Sequence, residues 1–481
     1  MKRSLSILLF VANFTLVAQA PILWDSLCCG APDRRVDRIL GDDSKNSIYA
    51  IGDFIKLGPI NSWGIAKYAN NKWDSVKGGI GNSLYGTTPN SCQNGDLIWY
   101  KNKLYIGDAD TWHNKQQVGC LGVWDGINWA PLPYNPFLNN NPVFNFRRPI
   151  NSFKVIDDEL YIGGSFDSVG SQKIGCITKF DGSNFYSLNY PSPHALGNII
   201  YSIEKYKNEL YVGGNLLDSA DAHIEKNLYR IFRYNGSKWY SVGNGIKGGA
   251  SKVNSMVIYK GYLYVAGVFR KAEGNAGNYI MKWDGNNWFS IPNGIEGTDG
   301  EVLKLLVHND KLYVFGAFNN AGDIPASKMA VYDGKQWCDL GGVTYGYVKT
   351  ATFFKDTLYV GGSFGYIGNR YIWYVAKRLA GDYHDTCGVV INTDTLNQNS
   401  ENASINIIPN PFTENITIQI SNTFIISTTT IYITNSLGQN IFTVNPQNYT
   451  TTINLSPLSA GMYYLTLSDG IKTKTVKVVK E

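Results

Sequence analysis

Two short motifs in this sequence have the spacing of catalytic or cofactor-binding loops. The segment GGSFG at 361–365 matches the nucleophile elbow, in which a serine stands on a sharp turn between a strand and a helix. Gly243, Gly245 and Gly248 match a dinucleotide-binding loop, which also opens a helix. Each motif therefore needs a helix directly after it before its chemistry is possible.

The surrounding residues predict strands in both places. Ser363 lies in the segment LYVGGSF, and Ser165 holds the same position in the related segment LYIGGSF, so the serine belongs to a repeated strand. The three glycines join the strand of Trp239 to a further alternating segment, which makes them a connector. We therefore predict no catalytic residue at either motif.

Histidines and carboxylates give no metal or catalytic constellation in the linear sequence. The chain has 5 histidines, and none stands at a metal-ligand spacing from another. His308 lies beside the turn Asn309-Asp310 and is expected to be solvated. Asp108 and Asp110 are too few for a cation site. We predict no metal and no cofactor, although sites assembled from distant loops would escape this search.

The elements that carry these residues come from an internal repeat of about 50 residues. A tyrosine followed by a glycine-rich stretch recurs at Tyr49, Tyr105, Tyr161, Tyr211, Tyr264, Tyr313 and Tyr359. Two aromatic residues follow in most repeats, separated by an Asp-Gly or Asn-Gly turn that suits a tight hairpin. An alternating segment precedes each tyrosine. Each repeat therefore predicts four antiparallel strands, a to d, the pattern of a β-propeller blade.

The seventh repeat lacks strand d, and the N-terminal segment WDSL at 24–27 offers a substitute. It matches WDSV at 73–76, and Trp24 precedes Tyr49 by the same number of residues as Trp239 precedes Tyr264. We predict that it closes an all-β, seven-bladed β-propeller, which leaves no broken blade and so removes an exposed edge. The recurring strand-d tryptophans are predicted to pack between strands.

The repeats resemble a known class of propeller. The strand LYVGGSF and hairpins such as KFDGSNFYSL and RYNGSKWYSV are similar to kelch-type and related secreted propeller repeats over residues 21–388. A β-solenoid would repeat at a shorter period, and separate hairpins could not bury so many aromatic residues. The resemblance implies a fold and no particular activity, because propellers host many functions.

Residues 404–481 follow a polar linker at 389–403 and resemble the C-terminal sorting domain of type IX secretion. The shared motif residues are Pro409, Asn410, Pro411, Phe412, Leu437, Gly438, Gln439, Gly461, Met462, Tyr463 and Tyr464. The resemblance implies docking to the type IX translocon of a Bacteroidetes-type bacterium, followed by removal of the domain. Alternating Ile, Thr and Tyr residues predict an immunoglobulin-like sandwich. An ordinary adhesion or sugar-binding sandwich is the alternative.

Residues 1–20 have the form of a cleaved signal peptide. Lys2 and Arg3 precede an apolar run that ends in the small-x-small sequence Ala18-Gln19-Ala20. No later segment is long and apolar enough to span a membrane as a helix, so none is expected in the mature chain. The net charge of +5 without a basic stripe argues against a nucleic-acid partner. The predicted location is the cell surface or the extracellular space.

The chain has 7 cysteines, an odd number that leaves at least one thiol free or intermolecular. An oxidising compartment favours disulfides. From the predicted strand register, Cys28 or Cys29 is expected to lie near Cys387, and Cys92 near Cys120.

A binding site is predicted on one face of the ring. The b–c loops and d–a connectors vary in length there, whereas the opposite turns are short and uniform, and variable loops on a rigid scaffold commonly bind ligands. The candidate residues are Trp112, His113, Tyr134, Phe137, Arg147 and Arg148. Their rings could stack on sugars and their guanidiniums could bind acidic groups, or the aromatics could simply plug the channel.

The predicted function is an exported binding or structural module with a glycan or protein ligand. The alternative is an extracellular carbohydrate-active enzyme with its site on the same face. Carboxylates that converge at the mouth of the channel would favour the enzyme.

Overall fold

The computed structural model describes residues 24–27, 30–77, 79–80, 95–113, 116–130, 137–138, 150–166, 168–169, 172–190, 198–216, 230–248, 250–292, 294–296, 300–367, 370–379, 405–421, 424–435, 440–469 and 473–481. Regular structure in these residues is β-strand, apart from two 3-10 turns at Lys271–Glu273 and Ile426–Thr428. The chain divides into two compact units, Met1–Gly388 and Val389–Glu481.

Seven antiparallel sheets follow one another through the described part of the first unit; six have four strands, and the seventh has four strands and one further short strand. In sheet 1, strands a to d are Val36–Asp42, Ser47–Gly52, Ile65–Ala69 and Lys72–Ser75. In sheet 2 they are Leu97–Tyr100, Lys103–His113, Gln116–Trp124 and Trp129–Ala130. In sheet 3 they are Ile150–Ile156, Glu159–Gly164, Ile177–Phe180 and Phe185–Ser187. In sheet 4 they are Ile199–Tyr206, Glu209–Asn215, Ile231–Tyr234 and Trp239–Ser241. In sheet 5 they are Lys252–Tyr259, Tyr262–Val268, Ile280–Trp283 and Trp288–Phe289. In sheet 6 they are Glu301–His308, Lys311–Ala317, Met329–Tyr332 and Trp337–Asp339. Sheet 7 contains Val343–Phe354, Thr357–Ile367 and Val375–Arg378 as strands a, b and c.

The missing fourth strand of sheet 7 comes from the N-terminal segment. Trp24–Asp25 pairs antiparallel with strand c, with Trp24 opposite Arg378. The Trp24 side chain is 2% exposed, and its indole Nε1 donates a hydrogen bond to the Leu340 carbonyl at 3.0 Å. The predicted closing strand is therefore confirmed.

The first strands of the sheets surround a central channel. Each strand a contacts the strands a of the two flanking sheets, and strand a of sheet 7 contacts that of sheet 1. The apolar core lies between neighbouring sheets: one cluster joins Leu27 and Val36 to Tyr359 and Val375. The described sheets thus form a closed, β-propeller-like ring.

The strand-d tryptophans connect one sheet to the previous one. In sheets 4, 5 and 6 their indole nitrogens donate to backbone carbonyls just beyond strand d of the preceding sheet: Trp239 to Leu188 at 2.8 Å, Trp288 to Val242 at 3.3 Å and Trp337 to Pro292 at 3.1 Å. Trp24 makes the same bond to Leu340. The prediction that these tryptophans are packing residues is confirmed.

The c–d turns have the hairpin geometry that their Asp-Gly and Asn-Gly sequences predict. In sheet 3, the Asp181 carboxylate accepts hydrogen bonds from the backbone nitrogens of Ser183 and Asn184, both at 2.7 Å. Gly182 has a φ of +104°, which a residue with a Cβ rarely adopts. The carboxylate thus caps the turn and is not available for chemistry.

Short strands extend several loops. They are Lys56–Leu57 with Ile60–Asn61; Phe137–Leu138 with Ser168–Val169 and Gln172–Lys173; Ile295–Glu296 with Asn320–Ala321 and Ile324–Pro325; and Arg370–Tyr371, which pairs with strand b of sheet 7.

The second unit contains two sheets. One is formed by Ile405–Ile408, Asn415–Ile420 and Thr450–Asn454, and the other by Asn440–Val444, Thr430–Asn435, Gly461–Ser468 and Thr473–Lys480. Both sheets contribute to one apolar core, which includes Phe412, Ile416, Leu465 and Val478.

His308 differs from its expectation as a solvated residue. Its ring stacks on Phe353 with centroids 3.7 Å apart and planes 13° apart, and its Nε2 lies 3.2 Å from an Asp356 carboxylate oxygen. Both partners belong to sheet 7 or its a–b turn, so the contact is made between sheets. The prediction was wrong because the local sequence shows only the turn beside His308.

Candidate functional site

A row of tyrosines crosses the outer end of sheet 7. Tyr345 on strand a pairs with Tyr366 on strand b, which pairs with Tyr371 on the short strand Arg370–Tyr371. Tyr345 is 77% exposed and Tyr371 is 71% exposed. The rings of Tyr366 and Tyr371 lie 4.1 Å apart. We call these three residues the tyrosine row; it lies at the face of the b–c loops and d–a connectors.

A tryptophan adjoins the row. Trp373 is 46% exposed, and its ring covers Gly365 so closely that an added Cβ there would lie 3.0 Å from a ring carbon. Gly365 is the last residue of the GGSFG segment. Ser363 of that segment lies within strand b, as predicted. Because Gly365 has no side chain, the Trp373 ring can pack against it.

Local backbone features place the row at the end of the sheet. Strand a is irregular on both sides of Tyr345, and Gly346 follows with a φ of +95°. Arg370, beside Tyr371, donates from one guanidinium nitrogen to the Trp24 carbonyl at 3.0 Å and to the Asp25 carboxylate at 3.1 Å. The row is therefore supported by the strand that closes the ring.

The tyrosine row offers both apolar ring faces and hydroxyl groups. A hydrogen bond with Tyr371 raises the pKa of Tyr366, so this phenol stays neutral at physiological pH. Neutral phenols donate and accept hydrogen bonds, and their ring faces bury apolar surface. Such an arrangement can stack on sugar rings while bonding to their hydroxyls.

The structure describes the predicted ligand residues only in part. Trp112 and His113 lie at the end of strand b of sheet 2, and Phe137 lies in the strand Phe137–Leu138. Their side chains, and all of Tyr134, Arg147 and Arg148, lie outside what the structure describes. These residues remain predictions.

The opposite face carries a shallow hollow of about 450 Å³, lined by Leu40, Gly41, Asp42, Asp43, Ser44, Ile98, Trp99 and Phe353. The Asp42 carboxylate there accepts hydrogen bonds from the Ser44 nitrogen and hydroxyl, at 2.9 and 2.6 Å. The Asp42 carboxylate therefore stabilises its own turn. The hollow has fewer polar groups available to a ligand than the tyrosine row.

The cysteine predictions fall largely outside the described residues. Cys28, Cys29, Cys92 and Cys387 lie there, together with the side chain of Cys120. Cys338, on strand d of sheet 6, is disulfide-bonded, which the sequence did not predict. Cys176 is a free, buried thiol.

Cys176 is expected to resist alkylation in the native protein. Burial raises the pKa of its thiol to about 12, and the thiolate is the reactive form. Iodoacetamide at mildly alkaline pH, followed by peptide mass spectrometry, should leave Cys176 unmodified until the protein is unfolded in guanidinium. Rapid native modification would contradict the buried assignment.

The PNPF segment holds the C-terminal strand of the second unit. The Asn410 side chain donates to the Lys477 carbonyl and accepts from the Val479 nitrogen, both at 2.9 Å. Phe412 is 1% exposed, and its backbone exchanges hydrogen bonds with Val479 and Glu481. Leu437, Gly438 and Gln439 lie outside the described residues. The described part of the predicted sorting motif thus joins two distant ends of one domain.

Comparison with known families identifies this second unit. Residues 406–481 match the secretion system C-terminal sorting domain. A search of curated proteins finds no match for the chain.

Several solved structures resemble the chain at low sequence identity. The extracellular domain of the one-component system BT4673 from B. thetaiotaomicron has a TM-score of 0.46 and 13% identity, over 96% of this chain and 59% of that one. PorZ, a surface component of the type IX secretion system of Porphyromonas gingivalis, has a TM-score of 0.33 and 12% identity, over 93% of this chain and 66% of that one. The GH74 enzyme of Niastella koreensis has a TM-score of 0.42 and 11% identity, over 95% of this chain and 74% of that one. This chain thus spans less than two thirds of the first two structures. None of these similarities carries a functional conclusion for this chain.

The sorting domain defines the destination of the protein. It shows export by type IX secretion to the cell surface or the extracellular space, as predicted. No helix in the described residues is long and apolar enough to cross a membrane.

Proposed function

We propose that the exported protein is a seven-bladed β-propeller that binds a glycan at the tyrosine row. In this proposal residues 1–20 are a cleaved signal peptide, residues 21–388 form the kelch-like propeller and residues 389–403 are a linker. Residues 404–481 are an immunoglobulin-like domain that docks the type IX translocon. The ligand is extracellular, because the sorting domain delivers the protein to that side.

The exposure of the tyrosine row carries the proposal. Tyrosines with more than two thirds of their surface in water are unusual at neighbouring strand positions, because packing normally buries their rings. Tyr345 and Tyr371 nevertheless flank Tyr366 in register, with Trp373 beside them. Flat aromatic rings that also carry hydroxyls match the alternating apolar and polar surface of a sugar.

The carboxylates of the channel favour binding over hydrolysis. Acidic groups do gather there, as the enzyme alternative requires, but they face basic partners: Asp96 lies 3.7 Å from Arg38, Glu204 lies 2.7 Å from Lys154 and Glu301 lies 2.6 Å from Lys252. A glycosidase needs one carboxylic acid and one carboxylate beside the substrate. Each of these three carboxylates is engaged in an ion pair, so the enzyme is not our first proposal.

Removal of one exposed ring is expected to weaken glycan binding. A glycan array on the purified protein would first identify a ligand, with turnover monitored on every hit. Tyr371→Ala and Tyr345→Ala should then each raise the Kd by roughly fivefold, equivalent to about 1 kcal/mol of lost stacking. Isothermal calorimetry measures the change. Gly365→Ala should act in the same direction, because its methyl group displaces the Trp373 ring.

Phe289→Ala is the matched control, since Phe289 is 41% exposed and lies on sheet 5. It should leave the Kd unchanged. A glycan whose affinity is insensitive to both tyrosine variants would refute the tyrosine row as the site. Specific binding of a protein instead of any glycan would refute the ligand class, and turnover of a bound glycan would restore the enzyme alternative.

A further inference from the structure

The channel wall has an irregularity that recurs in strand a of six of the seven described sheets and turns one residue inward. In sheets 1, 3, 4, 5, 6 and 7, one residue of strand a is skipped in the pairing with strand b: Asp37, Asn151, Tyr201, Asn254, Leu303 and Lys349. A β-bulge of this kind re-aims a side chain and is common beside functional sites. The pairing of strands a and b therefore does not fix the residue type at these channel positions.

Four of these bulged residues line a cavity of about 130 Å³. Its described lining consists of Arg38, Tyr201, Lys252, Asn254, Leu303 and Lys349, which include three cations and no carboxylate. A volume of this size holds about four water molecules, which is enough space for a small oxyanion. Each of the three cations has a carboxylate partner outside the cavity: Arg38 pairs with Asp96, Lys252 with Glu301 and Lys349 with Asp37.

In sheets 4, 5 and 7 the residue after the bulge ties neighbouring sheets together through a hydroxyl group. The Ser202, Ser255 and Thr350 hydroxyls accept backbone hydrogen bonds from Met256 at 2.9 Å, Leu305 at 3.0 Å and Ile39 at 3.1 Å. In sheet 1 this position is Arg38, and in sheet 6 it is Lys304, which directly follows the cavity residue Leu303. A lysine cannot accept such a bond, so Lys304 departs from the structural pattern of the repeats.

Lys304 adds an uncompensated positive charge to the channel. It is surrounded by protein yet keeps some access to channel water, and burial lowers the pKa of its ammonium group. Asp96 and Glu204 attract it, whereas Arg38 and Lys154 repel it. Those four groups already form two ion pairs with each other. Among the described residues, none forms an ion pair or a hydrogen bond with the Lys304 ammonium group or with the Tyr201 hydroxyl.

We propose that the channel binds a small oxyanion, of the carboxylate, sulfate or phosphate class, between the Lys304 ammonium, the Arg38 guanidinium and the Tyr201 hydroxyl. The bound anion supplies the ion-pair partner that the described carboxylates of the channel do not give to Lys304. This site is separate from the tyrosine row, and the observations that support it are independent of glycan binding.

The test is calorimetric titration of the purified full chain with sodium glucuronate, sulfate and phosphate in separate experiments, with glucose as the neutral control. At least one anion should bind saturably, and the one that binds most tightly identifies the source of the oxyanion. Lys304→Thr should weaken that binding at least tenfold, and Tyr201→Phe severalfold. Lys335→Met, at an exposed turn lysine of the same sheet, should leave it unchanged.

Thermal unfolding separates this role from a structural one. Lys304→Thr introduces the hydroxyl found in three other sheets and removes a buried charge, so its Tm without ligand should equal or exceed that of the parent. Binding by none of the three anions would overturn the proposal. Unchanged anion binding in a folded Lys304→Thr protein would overturn it equally.

Discussion

Replacing Trp24 with alanine is expected to lower the free energy of unfolding by about 3–5 kcal/mol, the usual effect of truncating a fully buried tryptophan. Trp24 contributes to the core between sheets 6 and 7, and its indole bond to Leu340 is one of the links between sheets. Deleting residues 24–27 should have a larger effect, because it also bares the edge of strand c. Urea or thermal unfolding, followed by circular dichroism, measures the change.

Trp373→Ala is the matched control, because it removes the same side chain from an exposed position and should cost less than about 1 kcal/mol. If the protein without residues 24–27 melts at the temperature of the parent, the closing strand contributes nothing to the ring.

Truncation after Ser400 is expected to abolish appearance of the protein outside the cell while leaving the propeller-like unit folded. The sorting domain occupies 406–481, and the sheets of the first unit lie before that region. The truncated protein should accumulate in the periplasm. Immunoblots of medium, surface-exposed and periplasmic fractions from a host with type IX secretion measure the distribution.

The complementary experiment fuses residues 389–481 to an unrelated periplasmic reporter, which should then reach the surface or the medium. The same fusion in a strain without the type IX translocon controls for leakage. Normal extracellular levels of the truncated protein would show that the C-terminal domain is not required for export, and would favour an ordinary binding sandwich.

The repeats made the sheets predictable because strand periodicity and turn chemistry are local properties. The hairpin sequence around Gly182 predicts its turn. The alternation and spacing of the Tyr-Gly-Gly segments predict their strands. Even the pairing of Trp24 with Arg378, at opposite ends of the ring, followed from a local observation. The seventh repeat lacked strand d, and the isolated segment at 24–27 had the sequence of a strand d.

Contacts between sheets were not predictable in the same way. His308 was expected to be solvated because no residue near it in the sequence indicates that Phe353 of the next sheet covers its ring. Lys304 differs from Ser202 and Ser255 at one position, but the difference becomes visible only when the bulges align the strands. The tyrosine row was missed because Tyr345, Tyr366 and Tyr371 lie on three strands that the repeat pattern does not bring into register.

The pairing of Trp24 with sheet 7 also has a consequence for the order of folding. Trp24 and Leu340 are hydrogen-bonded although they are 316 positions apart, and such distant contacts form late because the chain between them must already be compact. Sheets 1 to 6 can each form from a contiguous stretch of chain. Sheet 7 remains three-stranded until the N-terminal segment returns, and its free edge can meanwhile pair with another chain. We therefore expect the earliest part of the ring to be synthesised to be fixed last, and aggregation to compete with folding at this edge.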